Sequence, residues 1–317
     1  MNIDEFYTNC RICPRNCGVN RNTGKGFCGE NAQLRVGFAG LHSGEEPPLR
    51  GEKGSGTVFI SGCNLRCKTC QNWQISGGVK NNNAFGRNVS AEEFIIICLK
   101  LQEMGAENIN IVTGSHVVPA IVQNLSAAKK EGLNIPVVWN TSSYEKIETL
   151  ELLDGLVDIW LPDIKTLDKK VAATLFNAPD YPEIASAAIE WMTKKGKVII
   201  RHLILPGYLE STRAVLKWLA DSVFCEKTAE KPQISIMTQY TLIKSIPNAP
   251  QRFVSRQEYE TVLGWLSEYG IEEGFCQELV TGSDWLPDFR KENPFSSKLS
   301  VPIWGYKNHG LVQIKED

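Results

Sequence analysis

The chain has 317 residues, a net charge of −2, 42% apolar and 22% charged residues, which fits one large globular domain with room for a small extra one. Such a charge leaves no basic footprint for nucleic acid or an anionic membrane, and the longest apolar run, Phe94 to Leu99, is too short to span a bilayer. The amino terminus is acidic where a secretory signal would be basic, so the 10 cysteines point to a reducing cytoplasm and to metal ligation rather than disulfides.

Residues 1–50 read as a separate cysteine-rich lead-in, with Cys10, Cys13, Cys17 and Cys28 among Gly and Pro. Little apolar material is available there, so four thiolates closing on one metal would supply the folding energy. Zinc, iron or a second [4Fe-4S] cluster all suit that spacing; the alternative is four reduced thiols in a turn-rich arm. The polar stretch Gly44 to Gly56 reads as a connector.

A short β-type run, Thr57 to Ile60, then delivers Cys63, Cys67 and Cys70 in C-x3-C-x2-C spacing. Three thiolates on one tight loop can hold three irons of a cubane, whose fourth iron then lacks a protein ligand. A zinc site favours C-x2-C pairs and fits this triplet poorly.

Beyond a loop at Gly77 to Asn83, Ser90-x-x-Glu93 is a capping box that opens a helix ending near Gly105. Phe94, Ile97, Cys98 and Leu101 form its buried stripe, so Cys98 is core. Strands follow at Asn108 to Val112, Pro136 to Trp139, Val157 to Leu161, Lys197 to Leu205 and Gln233 to Met237. Helices alternate with them, one from Pro119 to Gly132 and another over Tyr144 to Leu153. Further helical material lies toward Ala172, over Glu183 to Lys195 and over Ser211 to Ala220, and a last helix is capped by Ser255-x-x-Glu258. Six βα units from Thr57 predict an α/β fold with a parallel sheet, a partial (β/α)6 barrel rather than a closed eightfold one. The barrel spans 51–276, and residues 277–317 form a tail packed over it, covering an open edge or the substrate mouth.

In a parallel barrel, reactive groups gather where strands deliver into their loops. That rule singles out Gly114, Ser115, Asn140, Thr141, Asp163, Lys165 and Arg201. Strand alternation sends Arg201 and His202 to opposite faces, so at most one faces the lumen. Plainer roles compete. Asn140 and Thr141 suit a helix cap, Asp163 and Lys165 a solvated pair, and His116 and His202 hydrogen-bonded structural positions.

The triplet after a strand resembles the signature of the radical S-adenosylmethionine (SAM) superfamily. The runs Cys13-Pro-Arg-Asn-Cys17, Phe27-Cys-Gly29, Cys70-Gln-Asn-Trp73, Asp158 to Lys165, Arg201 to Gly207 and Met237 to Tyr240 extend the likeness. They are similar to an uncharacterised radical SAM family related to pyruvate formate-lyase activating enzyme. The resemblance implies a [4Fe-4S] cluster on Cys63, Cys67 and Cys70, with SAM chelating the open iron. One electron then splits the sulfonium to give a 5′-deoxyadenosyl radical that abstracts hydrogen. By position at the strand ends, Gly114 and Ser115 suit the amino group of SAM, and Asn140 and Thr141 suit ribose or carboxylate. The resemblance implies that Asp163 and Lys165 match a D-x-K element contacting SAM, whereas the family's Gly-Gly-Glu strand end for the SAM amino group is replaced here by Thr113-Gly114-Ser115-His116. Thr69 stands where many members carry an aromatic residue beside adenine, and Trp73 is the substitute.

Three functions follow as expectations. The first is generation of a glycyl radical on a partner enzyme, fed by a one-electron donor such as flavodoxin or ferredoxin. The second is direct modification of a small molecule or peptide, and the third is a non-catalytic, metal-stabilised binding protein.

Overall fold

The computed structural model describes residues 3–77, 84–226, 230–241, 249–308 and 310–312. The predicted loop at Gly77 to Asn83 and His309 therefore lie largely outside the described residues. The sheet is built from β1 (Arg35–His42), β2 (Ser55–Ile60), β3 (Arg87–Asn88), β4 (Ile109–Val112), β5 (Val137–Thr141), β6 (Ile159–Pro162), β7 (Lys197–Leu203), β8 (Gln233–Met237), β9 (Gly274–Cys276), β10 (Ser300–Gly305) and β11 (Gly310–Leu311).

β2, β4, β5, β6, β7 and β8 run parallel in that order, each joined to the next by helical chain, giving the partial (β/α)6 barrel of an α/β fold. The three-residue β9 adds a seventh parallel strand that its exposed, Gly-led sequence does not advertise. On the other side the sheet continues antiparallel through β1, β10 and β11. These strands add to the sequence expectations. The lead-in carries a strand paired along the whole of β2, and the tail, besides packing on the barrel, contributes a strand of the sheet itself. The helix expected over Tyr144 to Leu153 begins only at Ile147 and finishes as a 3-10 turn, because residues 142–146 are engaged at the strand ends.

Side chains alternate across the strands. Val58, Ile111, Trp139, Trp160, Ile200 and Ile236 pack under the helices in the main core. Cys98 joins them with no exposure, as its helical stripe predicts. The inner face holds two smaller apolar groups. Phe38, Phe59 and Val112 meet Phe289 and Phe295 of the tail near β1 and β2. Leu49, on the short helix Pro47–Arg50, shares one buried apolar cluster with Val138, Leu161 and Ile199 of three successive strands. Segment 45–49 floors the barrel at the edge where β2 begins, since β1 ends with His42 opposite Ser55.

Candidate active site

The loop after β2 is fixed from several sides. Gly62, at φ 84°, passes so close to Glu30 and His116 that any Cβ would collide with both. His116 Nε2 is 2.8 Å from the Ser61 carbonyl, and burial holds the imidazole neutral with its pKa down to about 3. Asn64 Nδ2 donates to the Tyr144 carbonyl (2.7 Å), and Asn177 Nδ2 donates to the Arg66 carbonyl (2.5 Å). Arg15, from the cysteine-rich segment, stacks between Phe27 and Tyr144 and donates to the Asn64 (2.7 Å) and Asn177 (2.8 Å) carbonyls. Neither Arg15 nor Asn177 stood out in the sequence, because each acts on backbone far away in the chain.

Cys63, Cys67 and Cys70 sit within one another's fields. Burial raises the Cys67 thiol, Lys165 opposes that rise, and Cys63 and Cys70 add to it. Burial and Cys63 push Cys70 up to about 11. The Leu65 amide points at Cys63 Sγ from 3.4 Å. A thiol trio with an N–H aimed at sulfur and an ammonium at its rim suits a polyanionic iron–sulfur cluster. Trp73 follows directly, its amide donating to the Cys70 carbonyl at 3.2 Å. Among the described residues no three His, Cys, Asp or Glu side chains converge tightly enough to chelate a single ion.

At the carboxyl ends of the strands, Asp163 is the hinge of a charged network. Its Oδ1 accepts from Arg201 Nε and its Oδ2 from Lys165 Nζ, both at 2.8 Å. Burial raises the Asp163 pKa, but Arg201 and Lys165 outweigh it and hold the carboxylate ionised. Burial likewise works against Lys165 and Arg201, and both nevertheless titrate above their ordinary range because Asp163 lies against them. Arg201 Nη2 also donates to Asn140 Oδ1 on the inner face. His202 points the other way, bonded to the Ile164 carbonyl (2.7 Å) and Thr212 (3.0 Å) under the helices. The Arg201/His202 alternation thus holds, and the Asp163–Lys165 pair is partly buried at 17% and 23% side-chain exposure.

Ser115 and Thr141 come together, 3.2 Å apart, but both are buried. Thr141 donates to Glu145 Oε2 (2.7 Å) and Trp139 Nε1 donates to Glu145 Oε1 (3.0 Å). Burial lifts the Glu145 pKa to about 7 against these donors. Glu145 was hidden in a stretch that reads as helix. Gly114 packs so tightly on Trp139 and Ile121 that a side chain would clash at 2.6 Å. Thr113, just before it, has φ 63°, a strained value for a β-branched residue at a strand end.

In the amino-terminal segment, Arg21 is 1% exposed and brings Cys10 and Cys28 into one environment. Its Nη1 lies 3.8 Å from Cys10 Sγ. Burial pushes the Cys13 thiol to about 12, and Cys28, Cys10 and Cys17 add to that rise. The Phe27 amide donates to Cys17 Sγ at 3.3 Å.

The model of the radical SAM superfamily matches residues 57–219. Two proteins of Methanocaldococcus jannaschii are similar. Uncharacterized protein MJ0674 is 30% identical over 276 residues (84% of this chain and 77% of its own), and MJ0808 is 24% identical over 233 residues (65% and 63%). Streptococcus suis SuiB bound to S-adenosylmethionine aligns with TM-score 0.45 and 15% identity over 68% of this chain, which spans less than half of SuiB (45%). A domain of pyruvate-formate lyase-activating enzyme from Bacteroides vulgatus aligns with TM-score 0.37 and 16% identity over 50% of this chain and 91% of its own. No helix among the described residues is long and apolar enough to cross a membrane.

Proposed function

The chain belongs to the radical SAM superfamily, and from that premise we propose that it is a SAM-cleaving enzyme with Cys63, Cys67 and Cys70 holding a [4Fe-4S] cluster. The observation that carries the reading is that Lys165 lies close enough to Cys67 for each to shift the other's titration, so the D-x-K strand end borders the thiol trio. When bound, the cluster supplies the electron that cleaves SAM to a hydrogen-abstracting 5′-deoxyadenosyl radical.

The chain's own residues do the positioning. Lys165 sets a permanent positive charge beside three thiolates and is the group for the SAM carboxylate. Asp163 holds Lys165 and Arg201 in fixed directions, and Asn140 pins the far end of Arg201. Ser115 and Thr141 shape the neighbouring strand ends through Glu145, while Gly114 keeps that wall close to Trp139. Trp73 flanks the loop as the aromatic candidate for adenine.

Cys10, Cys13, Cys17 and Cys28 form a second thiolate metal site in this reading. Its support is Arg21, a buried guanidinium whose charge burial disfavours and which Cys28, Tyr7 and Cys10 offset. Thiolates held by an iron–sulfur cluster would supply that counter-charge; the four thiols, like the rest of the described residues, do not converge tightly enough for the single zinc ion that their spacing also suits, and metal analysis tests the reading.

Two narrower readings follow. Glycyl-radical formation on a partner enzyme, driven by flavodoxin or ferredoxin, draws on the Asp163–Lys165 element. Direct modification of a small molecule or peptide draws on the charged inner face of the barrel. The test is anaerobic reconstitution with SAM and dithionite, quantifying 5′-deoxyadenosine. Absence of that product with iron bound would leave only a metal-stabilised binding protein. A glycine-centred EPR signal on an added glycyl-radical enzyme would select the first narrower reading.

A further inference from the structure

The barrel floor carries acidic groups that the SAM-cleaving reading does not use. Glu45 and Glu46 enter the inner face just ahead of Leu49, which is buried in one cluster with residues of β5, β6 and β7. Glu45 reaches Arg201 Nη1 only at 3.9 Å, and Glu46 lies near Ser235 on β8. Arg201 is already committed to Asp163 and Asn140. Three carboxylates, Glu45, Glu46 and Asp163, thus share two cations, Arg201 and Lys165, and among the described residues the Lys165 ammonium bonds Asp163 alone. His42, 3.7 Å from Glu45, does not supply the missing charge, because burial lowers its pKa to about 4.

A second observation is independent of these charges. Asn110 on β4, in register with Thr57 and Val138, lies beside Glu45 with no exposure. Among the described residues neither its amide nitrogen nor its oxygen has a partner at full hydrogen-bond geometry, although the amide is near enough to Glu45 to favour its carboxylate, and Glu46 Oε2 is buried and likewise unpartnered while the same side chain is favoured by Ser235. Buried polar atoms are rarely left so, since each forfeits the bonds it made to water.

The geometry points to a subsite for a protonated amine on the substrate, held between Glu45, Glu46 and Asn110. An ammonium brings three N–H donors and no acceptor, which matches two carboxylates and one amide oxygen. Burial raises the pKa of both Glu45 and Glu46; an ammonium between them would oppose that rise, favour the carboxylates and bond to them as charge-assisted acceptors. A carboxylate or phosphate substrate would meet repulsion at the same place. The inference rests on the proposed use of the barrel interior for substrate. It narrows the candidates to amine-bearing small molecules or peptides with a free ammonium, inserted amine first toward the floor.

The test uses the reconstituted full chain and propylammonium chloride as probe, with 1-propanol, sodium propionate and magnesium chloride as controls. Calorimetric titration should show propylammonium binding that the three controls do not reproduce. Glu46→Gln, nearly isosteric, should weaken it about tenfold, as expected for losing one charge-assisted bond, and Glu45→Gln serves equally should the first variant misfold. Equal binding of propanol, equal binding of magnesium, no binding of propylammonium, or an unchanged affinity in the folded Gln variant would each overturn the subsite. 5′-Deoxyadenosine formation, measured on the same preparation, reports separately on the SAM-cleaving reading. Cleavage without amine binding sinks the subsite alone, and amine binding without cleavage sinks the enzymatic reading alone.

Discussion

The Cys28 carbonyl accepts the amide hydrogen of Cys63 at 3.3 Å, so the last thiol-bearing residue of the amino-terminal segment touches the first one of the loop after β2. Arg15 reinforces the contact by bonding two carbonyls on the barrel side from its stacked position between Phe27 and Tyr144. The two cysteine sets are therefore mechanically joined, and disturbing one should loosen the other.

Arg15→Ala is expected to cost about 2–3 kcal/mol, from two lost carbonyl bonds and the stacking surface. It should also lower iron retained per chain on gel filtration. Arg15→Lys should recover little, since an ammonium cannot fork to two carbonyls while lying flat between rings. Unchanged iron and an unchanged denaturation midpoint in the Ala variant would show that the contact is incidental.

Cys67→Ala should abolish 5′-deoxyadenosine formation, because the proposed cluster would lose one of its three thiolate ligands. Cys98→Ala is the matched control. Its thiol is wholly buried on the helix Ala91–Glu103, away from the loop, and its loss should cost about 1 kcal/mol of stability with cleavage retained. Loss of cleavage in both variants at equal folded fraction would break the assignment.

Glu145 gives the fold a pH signature. Its folded pKa is about 7, above the ordinary 4.5, so the protonated form is favoured by folding. The stability it contributes is complete below about pH 4.5 and is lost as pH rises through 7, on the order of 3 kcal/mol in all. His116 and His202 act in the opposite sense. Their folded pKa values are about 3 and 4 against an ordinary 6.5, so their contribution is present above 6.5 and lost as pH falls toward 4. Glu145→Gln should therefore flatten the alkaline limb of a urea-midpoint profile between pH 5 and 8 and leave the acid limb in place. An unaltered alkaline limb would contradict the buried acid.

Much of the barrel was legible from local pattern. β4 to β8 are short runs of branched and aromatic residues bounded by turn signals, and the inward Arg201 and outward His202 follow from strand period alone. What stayed hidden depends on partners far along the chain. β1 reads Arg-Val-Gly-Phe-Ala-Gly-Leu-His, two glycines in eight residues, and becomes a strand by pairing with both β2 and β10. Gly40 owes its identity to the closeness of Val301, a neighbour invisible to any local reading. Glu45 and Glu46 sit in what looks like a polar connector, and only the burial of Leu49 brings them inside.

The tail can be tested against that long-range pairing. Trp304 on β10 is fully buried; its Nε1 donates to Glu93 at 2.8 Å, and Arg87 lies over its ring. Phe295 meets the rings of Phe38, Phe59 and His42 on the inner face. Trp304→Ala should cost about 3–5 kcal/mol, the range for emptying a large aromatic site, whereas the exposed Val301→Thr should change little. Truncation at Gly282 should be worse, because it strips β10 from β1 and bares Phe38 and Phe59 together. Denaturant midpoints and 5′-deoxyadenosine yields would follow both changes. A truncated chain that keeps its midpoint and its cleavage would show that the tail neither completes the sheet nor shelters the inner face.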